Sequence, residues 1–142
     1  MTGGTITVNS ADDSVHSNGV IEINGGIFTL SSGDDGIHAD TSLTIGGGTI
    51  DITKSYEGIE SKVITINSGT IHLVASDDGV NCSSGKSSST TSANEFAANS
   101  ENYLYINGGY LYVNAGGDGL DSNGYIQMKG GTAIVDGPTD NS

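Results

Sequence analysis

Short stretches of alternating apolar and polar residues recur along this chain, each directly after a glycine. The stretch that follows Gly26, for example, places Phe28 and Leu30 on one side of an extended segment and Thr29 on the other. The glycines that head these stretches are spaced by 22, 22, 21, 40 and 22 residues: Gly4, Gly26, Gly48, Gly69, Gly109 and Gly131. Repetition at this period indicates a repeat architecture with about 22 residues in each rung.

Three strand signals recur in the same order within each complete repeat, and their apolar residues should point inward. The first strand supplies the pairs Ile6/Val8, Phe28/Leu30, Ile50/Ile52, Ile71/Leu73, Leu111/Val113 and Ala133/Val135. The second supplies one apolar residue in each rung: Val15, Ile37, Ile59, Val80 and Leu120. The third supplies Ile21/Ile23, Leu43/Ile45, Ile64/Ile66, Leu104/Ile106 and Ile126/Met128.

This order predicts an all-β fold, a right-handed single-stranded parallel β-helix in which like side chains stack from rung to rung. An antiparallel sandwich also has short strands at regular spacing, but it gives no reason for the same turn residues to recur in the same order. The single 40-residue spacing is explained by a low-complexity insertion at residues 83–102, predicted to be a surface loop with Phe96 as a candidate partner contact. Residues 1–142 are therefore predicted to form one domain.

Charge restricts the partners of the chain. Seventeen acidic residues oppose four lysines and no arginine, for a net charge of -13. Such a surface repels nucleic acid and anionic lipid, and no apolar run approaches the length of a membrane span, so neither nucleic-acid binding nor membrane insertion is expected. An acidic surface attracts cations, and it attracts an anionic polymer only where cations bridge the two.

The acidic residues are themselves periodic, because each rung carries an acidic turn between its first and second strands. The turn pairs are Asp12-Asp13, Asp34-Asp35, Tyr56-Glu57, Asp77-Asp78 and Gly117-Asp118. Rungs of a parallel β-helix stack about 4.8 Å apart, which predicts a column of Asp13, Asp35, Glu57, Asp78 and Asp118. A second column beside it contains His16, His38, Glu60, Asn81 and Asp121.

Stacked carboxylates repel each other by about 0.9 kcal/mol at this spacing even at the dielectric of water. Turn preference explains recurring aspartate but not Glu57 at the same place. A calcium ion between two rungs removes the repulsion, since calcium takes six to eight oxygen ligands. The predicted calcium ligands are Asp12, Asp13, Asp34, Asp35, Glu57, Glu60, Asp77, Asp78, Asp118 and Asp121. A zinc or copper site at His16 and His38 is the weaker alternative, because only two histidines align and no thiolate joins them.

Three sequence features together resemble a known family: the recurring "DDGI" turn, the "NGG" before the next strand, and the terminal "GGTAIVDGPTDNS". The chain is similar to a bacterial carbohydrate-binding domain family of right-handed parallel β-helices that bind calcium and pectin-type polysaccharide (polygalacturonate). The resemblance implies calcium-mediated adhesion to an acidic polysaccharide, an extracellular or cell-surface location, and a chain that is part of a longer protein. Ser14 and Tyr56 depart from the family pattern, at positions where other rungs have glycine and aspartate.

Further side chains are candidates for contact with the glycan, and other functions compete with binding. Outward tyrosines can stack on sugar rings, and cationic groups can contact uronates; the predicted contacts are Lys54, Lys62, His38, Tyr105 and Tyr112. A pectate-lyase-like activity requires a base, which is arginine or lysine in β-helical lyases. The chain has no arginine, and charge balance within the acidic column explains Lys54 and Lys62 better than a role as base, so we expect no enzyme here. A rod stabilised by calcium that stacks end to end is the structural alternative, since terminal rungs expose unpaired backbone.

Overall fold

The structure, a computed structural model, describes residues 1–83 and 101–138, and these residues form strands, turns and bends with no helix. Fourteen strands lie within them: β1 Thr2–Asn9, β2 Val15–Ser17, β3 Val20–Ser31, β4 Ile37–Ala39, β5 Ser42–Lys54, β6 Ile59–Ser61, β7 Val63–Ile66, β8 Thr70–Ala75, β9 Val80–Cys82, β10 Tyr103–Ile106, β11 Tyr110–Ala115, β12 Leu120–Ser122, β13 Tyr125–Met128 and β14 Thr132–Asp136. None of the described segments is a helix long and apolar enough to cross a bilayer.

Every strand pairing is parallel, and each strand pairs with its equivalent in the next rung. Ile6 pairs with Phe28, and Phe28 pairs with Ile50, so the register advances by one repeat. Strands β2, β4, β6, β9 and β12 form a five-stranded sheet, and the remaining strands form a nine-stranded sheet. The predicted parallel β-solenoid with a repeat of about 22 residues is confirmed.

In two rungs the third strand does not end before the next rung begins. Strands β3 and β5 run through the boundary between two repeats. The third strand of one rung and the first strand of the next rung therefore belong to one bent sheet. The bend lies at the glycine that heads each repeat, and these glycines share a positive φ: Gly4 (93°), Gly26 (113°), Gly48 (98°), Gly69 (106°), Gly109 (88°) and Gly131 (84°). Because other residues rarely adopt this conformation, the corner itself requires the recurring glycine.

The core is the interior of the solenoid, and it contains the predicted inward residues. In the middle rungs these side chains are almost fully buried, as for Phe28, Ile50 and Leu73. At the last described rung Ile126 and Met128 are 43% and 49% exposed, because no further described rung packs over them. The sequence pattern missed a second buried column, formed by the small residues that end the second strand of each rung: Ala39, Ser61 and Cys82.

The predicted loop at residues 83–102, with Phe96, lies outside the described residues except at its ends. Strands on either side of it nevertheless pair directly, since β7 pairs with β10 and β8 with β11. The insertion therefore does not interrupt the stack of rungs.

Candidate functional site

The five-stranded sheet aligns one polar side chain from each rung. His16 pairs with His38, His38 with Glu60, Glu60 with Asn81, and Asn81 with Asp121. Each of these residues follows the inward apolar residue of its strand, so its side chain alternates to the opposite side of the sheet. The structure thus brings the second predicted column together in register.

The acidic turns stack beside this sheet through backbone hydrogen bonds. The amide of Gly36 donates to the carbonyl of Glu57 at 3.0 Å, and the amide of Gly58 donates to the carbonyl of Asp78 at 3.0 Å. Glycine is needed here for space, since a Cβ at Gly58 would lie 2.4 Å from the carbonyl oxygen of Gly79. In these turns the glycine allows neighbouring rungs to pack closely, and the backbone hydrogen bonds stack the acidic side chains above one another.

Two of the predicted ligands use one carboxylate oxygen within the fold. Asp13 Oδ1 accepts a hydrogen bond from the amide of Asp35 at 3.0 Å, and Asp78 Oδ1 accepts one from the amide of Asp118 at 2.7 Å. Each carboxylate therefore fixes the next turn with one oxygen and keeps the other for a different partner.

Burial and neighbouring negative charge raise the pKa of several carboxyls in the column. The pKa of Glu57 rises to about 8, through burial and then through the nearby charge of Glu60. The pKa of Asp78 rises to about 6, mainly through burial, and burial and Glu57 hold the pKa of Asp35 far above its usual range. Across residues 1–83 and 101–138, no lysine forms an ion pair with these carboxylates; Lys62 pairs with Glu101 instead.

Two buried oxygens of the columns lack a hydrogen-bond partner. The side-chain amide of Asn81 donates to Glu57 Oε1 at 3.0 Å, while Glu57 Oε2 and Asn81 Oδ1 are buried without one. Such acceptors cost about 1–3 kcal/mol each when left unpaired. Carboxylate and amide oxygens are the ligands calcium prefers, so this donor set fits a calcium ion.

His16 and His38 lie in the first two rungs of the second column, and carboxylates surround them. His16 Nδ1 lies 2.8 Å from Asp13 Oδ2, and His38 Nδ1 lies 3.4 Å from the same oxygen. Hydrogen bonds to Asn18 and Asp13 raise the pKa of His16. Three sets of ligand atoms lie close together here: Asp13/His16/His38, Asp35/His38/Glu60 and Asp12/Asp13/Asp34.

The remaining predicted ligands are more peripheral. Asp34 and Asp118 are exposed, and Asp121 is partly buried, which raises its pKa. Asp77 interacts with the phenol of Tyr56 and raises the pKa of Tyr56 to about 12. Lys54 is exposed at the end of β5.

The predicted tyrosine contacts belong to two separate clusters of aromatic rings. Tyr105 stacks with Tyr103 at a centroid distance of 5.7 Å and an interplanar angle of 12°, and Tyr125 lies 6.3 Å from Tyr103. Tyr112 lies 5.7 Å from His72, which also contacts Tyr110. Tyr103 and His72 were not among the predicted glycan contacts. Both lie on the outward face of their strands, where they alternate with buried residues.

A comparison with known protein families gives a match to this chain. The family model described as "Carbohydrate-binding domain-containing protein" matches residues 1–36 and 34–79, which together are more than half of the chain. The chain belongs to this family of carbohydrate-binding domains. The matched part of the domain contains the acidic turns from Asp12 to Asp78 and the first three residues of the second column, His16, His38 and Glu60.

Membership in a carbohydrate-binding domain family implies a carbohydrate partner and suggests a binding role rather than a catalytic one. No curated protein and no solved structure gave a significant match to the chain.

Proposed function

We propose that this carbohydrate-binding domain binds an acidic polysaccharide of the polygalacturonate type through calcium ions held by the acidic columns. The observation that carries the proposal is the half-buried Glu57 carboxylate, whose Oε2 is buried without a hydrogen-bond partner and whose pKa is raised to about 8. A chain of net charge -13 repels an anionic polymer, and multivalent cations between the two reverse that repulsion.

The central rungs supply the oxygens for such ions. Asp35, Glu57 and Glu60 provide carboxylates from adjacent rungs, and Asn81 Oδ1 provides a neutral oxygen. Bound calcium supplies positive charge, and its coordination positions beyond those filled by the protein accept uronate oxygens. The protein's own contribution is a rigid row of oxygens at the spacing of the rungs, about 4.8 Å.

The aromatic clusters provide a second kind of contact. Tyr105 and Tyr112 face outward on flat strands, and tyrosine combines an apolar ring with a polar hydroxyl. Such rings suit the faces of sugars, while Lys54 and His38 are the cationic candidates for uronate groups. We assign the protein to the cell surface or the extracellular space, where calcium modules of modest affinity function at the available calcium concentration.

We further infer that the domain does not cleave the glycan. Lyase chemistry needs a free base next to the bound uronate. The chain has no arginine, and the ammonium of Lys62 is paired with Glu101. Lys54, exposed at the end of β5, is the third-rung lysine that the assay for released oligosaccharides below checks as a base.

Affinity electrophoresis tests this function with two polymers, polygalacturonate and its methyl-esterified form, each with calcium or with excess chelator. The proposal expects retardation only by the acidic polymer in calcium. Equal retardation by the esterified polymer would contradict recognition of uronate charge. Retardation that persists in chelator would contradict the bridging cation, and release of unsaturated oligosaccharides would indicate a lyase.

A further inference from the structure

Two imidazole nitrogens converge on a single carboxylate oxygen in the first two rungs. His16 Nδ1 and His38 Nδ1 lie 2.8 Å and 3.4 Å from Asp13 Oδ2. A second carboxylate oxygen is close, since Asp35 Oδ2 lies 3.5 Å from His38 Nδ1. The strands β2 and β4 create this convergence because they place His16 and His38 directly side by side.

The outer nitrogen of each ring faces an oxygen acceptor. His16 Nε2 lies 2.8 Å from Asn18 Oδ1. His38 Nε2 lies 3.5 Å from Asp40 Oδ1 and 3.6 Å from Glu60 Oε2. Histidines that bind a metal usually donate their other ring N–H to a carbonyl or carboxylate in this way, which fixes the tautomer and directs the free lone pair to the ion.

We propose that Asp13, His16 and His38 form a zinc site in the first two rungs, separate from calcium binding farther along the columns. One ligand atom from each of these three residues lies within 4.8 Å of the other two, and three protein ligands leave one zinc position open. Ligand atoms of a tetrahedral zinc site lie about 3.3–3.6 Å apart, given bond lengths of about 2.0–2.2 Å. The separation of 3.4 Å between His38 Nδ1 and Asp13 Oδ2 matches this value. The short contact of His16 to Asp13 lengthens when the ion takes the place of the hydrogen bond.

Ligand chemistry separates this site from the central rungs. Imidazole nitrogen binds zinc well and calcium poorly, because calcium prefers oxygen. Rungs beyond the second have Glu60, Asn81 and Asp121 in place of histidine. The columns thus change along the axis from a mixed nitrogen and oxygen site to oxygen alone.

Histidine ring NMR on the whole chain provides the first test, because the chain has three histidines and the third serves as an internal control. His72 lies on β8 against Tyr110 and Tyr112, away from the acidic turns. One equivalent of Zn²⁺ should shift the ring signals of His16 and His38 with Nδ1 as the bound nitrogen, and leave His72 unchanged. Equal shifts of all three rings, or none, would overturn the proposal.

Competition with a chromophoric zinc chelator provides the second test, using His16→Gln, His38→Gln and the control His72→Gln. Loss of a direct ligand should weaken zinc binding by at least roughly tenfold, the lower limit seen for outer-shell partners, whereas His72→Gln should retain wild-type affinity. Unchanged affinity in both site variants, or displacement of zinc by equimolar calcium, would overturn the site. Polygalacturonate binding in calcium should be retained by His16→Gln, because His16 is assigned no contact with the glycan or with calcium, so the zinc site and the proposed function can fail independently.

Discussion

The side-chain amide of Asn81 donates a hydrogen bond of 3.0 Å to Glu57 Oε1, and each of these two residues retains a buried oxygen without a partner. Their pairing crosses from one rung to the next and from one column to the other. Since a carboxylate only accepts hydrogen bonds, the amide must present its Nδ2 to Glu57, which leaves Asn81 Oδ1 as a free acceptor. This pair marks the place where the columns most clearly require a positive charge.

Replacement of Glu57 by glutamine should separate the effects of charge and calcium. In chelator at pH 9, above the Glu57 pKa of about 8, Glu57→Gln should raise Tm, because it removes a buried charge. A gain of 1 kcal/mol corresponds to roughly 3–6 °C for a domain of this size. In calcium, the variant should lose much of the stabilisation that the ion gives the wild type. Differential scanning calorimetry measures both effects.

The matched control is Asp51→Asn, which makes the same charge change on an exposed residue of β5. It should leave the calcium-dependent rise in Tm intact. An identical response of Glu57→Gln and Asp51→Asn to calcium would show that Glu57 does not hold the ion.

Metal-free protein should lose stability as the pH rises. The pKa values of Glu57 and Asp35 are higher in the folded chain than in the unfolded one, so the folded state binds more protons. Their contribution to the free energy of unfolding is complete below about pH 4, the usual carboxyl range, and is lost as the pH rises through about 8. Urea unfolding in chelator at intervals from pH 5 to pH 9 measures the slope. Saturating calcium should flatten it, and a stability that increases with pH in chelator would contradict the assigned pKa shifts.

The loss of stability on replacing a glycine at the repeat boundary with alanine should depend on its φ angle and on the space around it. At Gly48, φ is +98° and a Cβ would lie 2.9 Å from the carbonyl oxygen of Gly26, so Gly48→Ala should cost about 1–3 kcal/mol or more. Gly4→Ala, with φ +93° but open space, should cost less, and Gly3→Ala, with neither constraint, should be near neutral. Equal unfolding free energies for the three variants would show that the corners do not require glycine.

Periodicity predicted the solenoid and its interior because each residue has an equivalent about 22 positions away. Phe28, Ile50 and Leu73 are buried where alternation placed them. The pattern could also align the columns, since parallel pairing carries register from rung to rung. It could not reveal that Lys62 turns to Glu101 or that His38 lies among four carboxylates, because those contacts depend on side-chain direction. The burial of Cys82 was not predicted because only Val80 of the same strand was aligned between rungs.

Removal of the Tyr105 ring should weaken glycan binding without unfolding the domain. Tyr105 is partly exposed and stacks on Tyr103, so Tyr105→Ala should reduce the affinity for polygalacturonate severalfold while Tyr105→Phe, which keeps the ring, should retain most of it. Tyr112→Ala tests the other aromatic cluster in the same way. Isothermal titration calorimetry in calcium measures the affinities, and wild-type binding by both alanine variants would remove the tyrosines from the site.

The most direct test is the binding of the chain to immobilised polygalacturonate over a calcium titration, for wild type and for the double variant Asp35→Asn/Glu57→Gln. Wild-type binding should rise with calcium and disappear in chelator. The folded double variant, verified by its cooperative melting, should require far more calcium or fail to bind. Binding that is indifferent to chelator, or a double variant that matches wild type at every calcium concentration, would contradict a cation bridge built on the acidic columns.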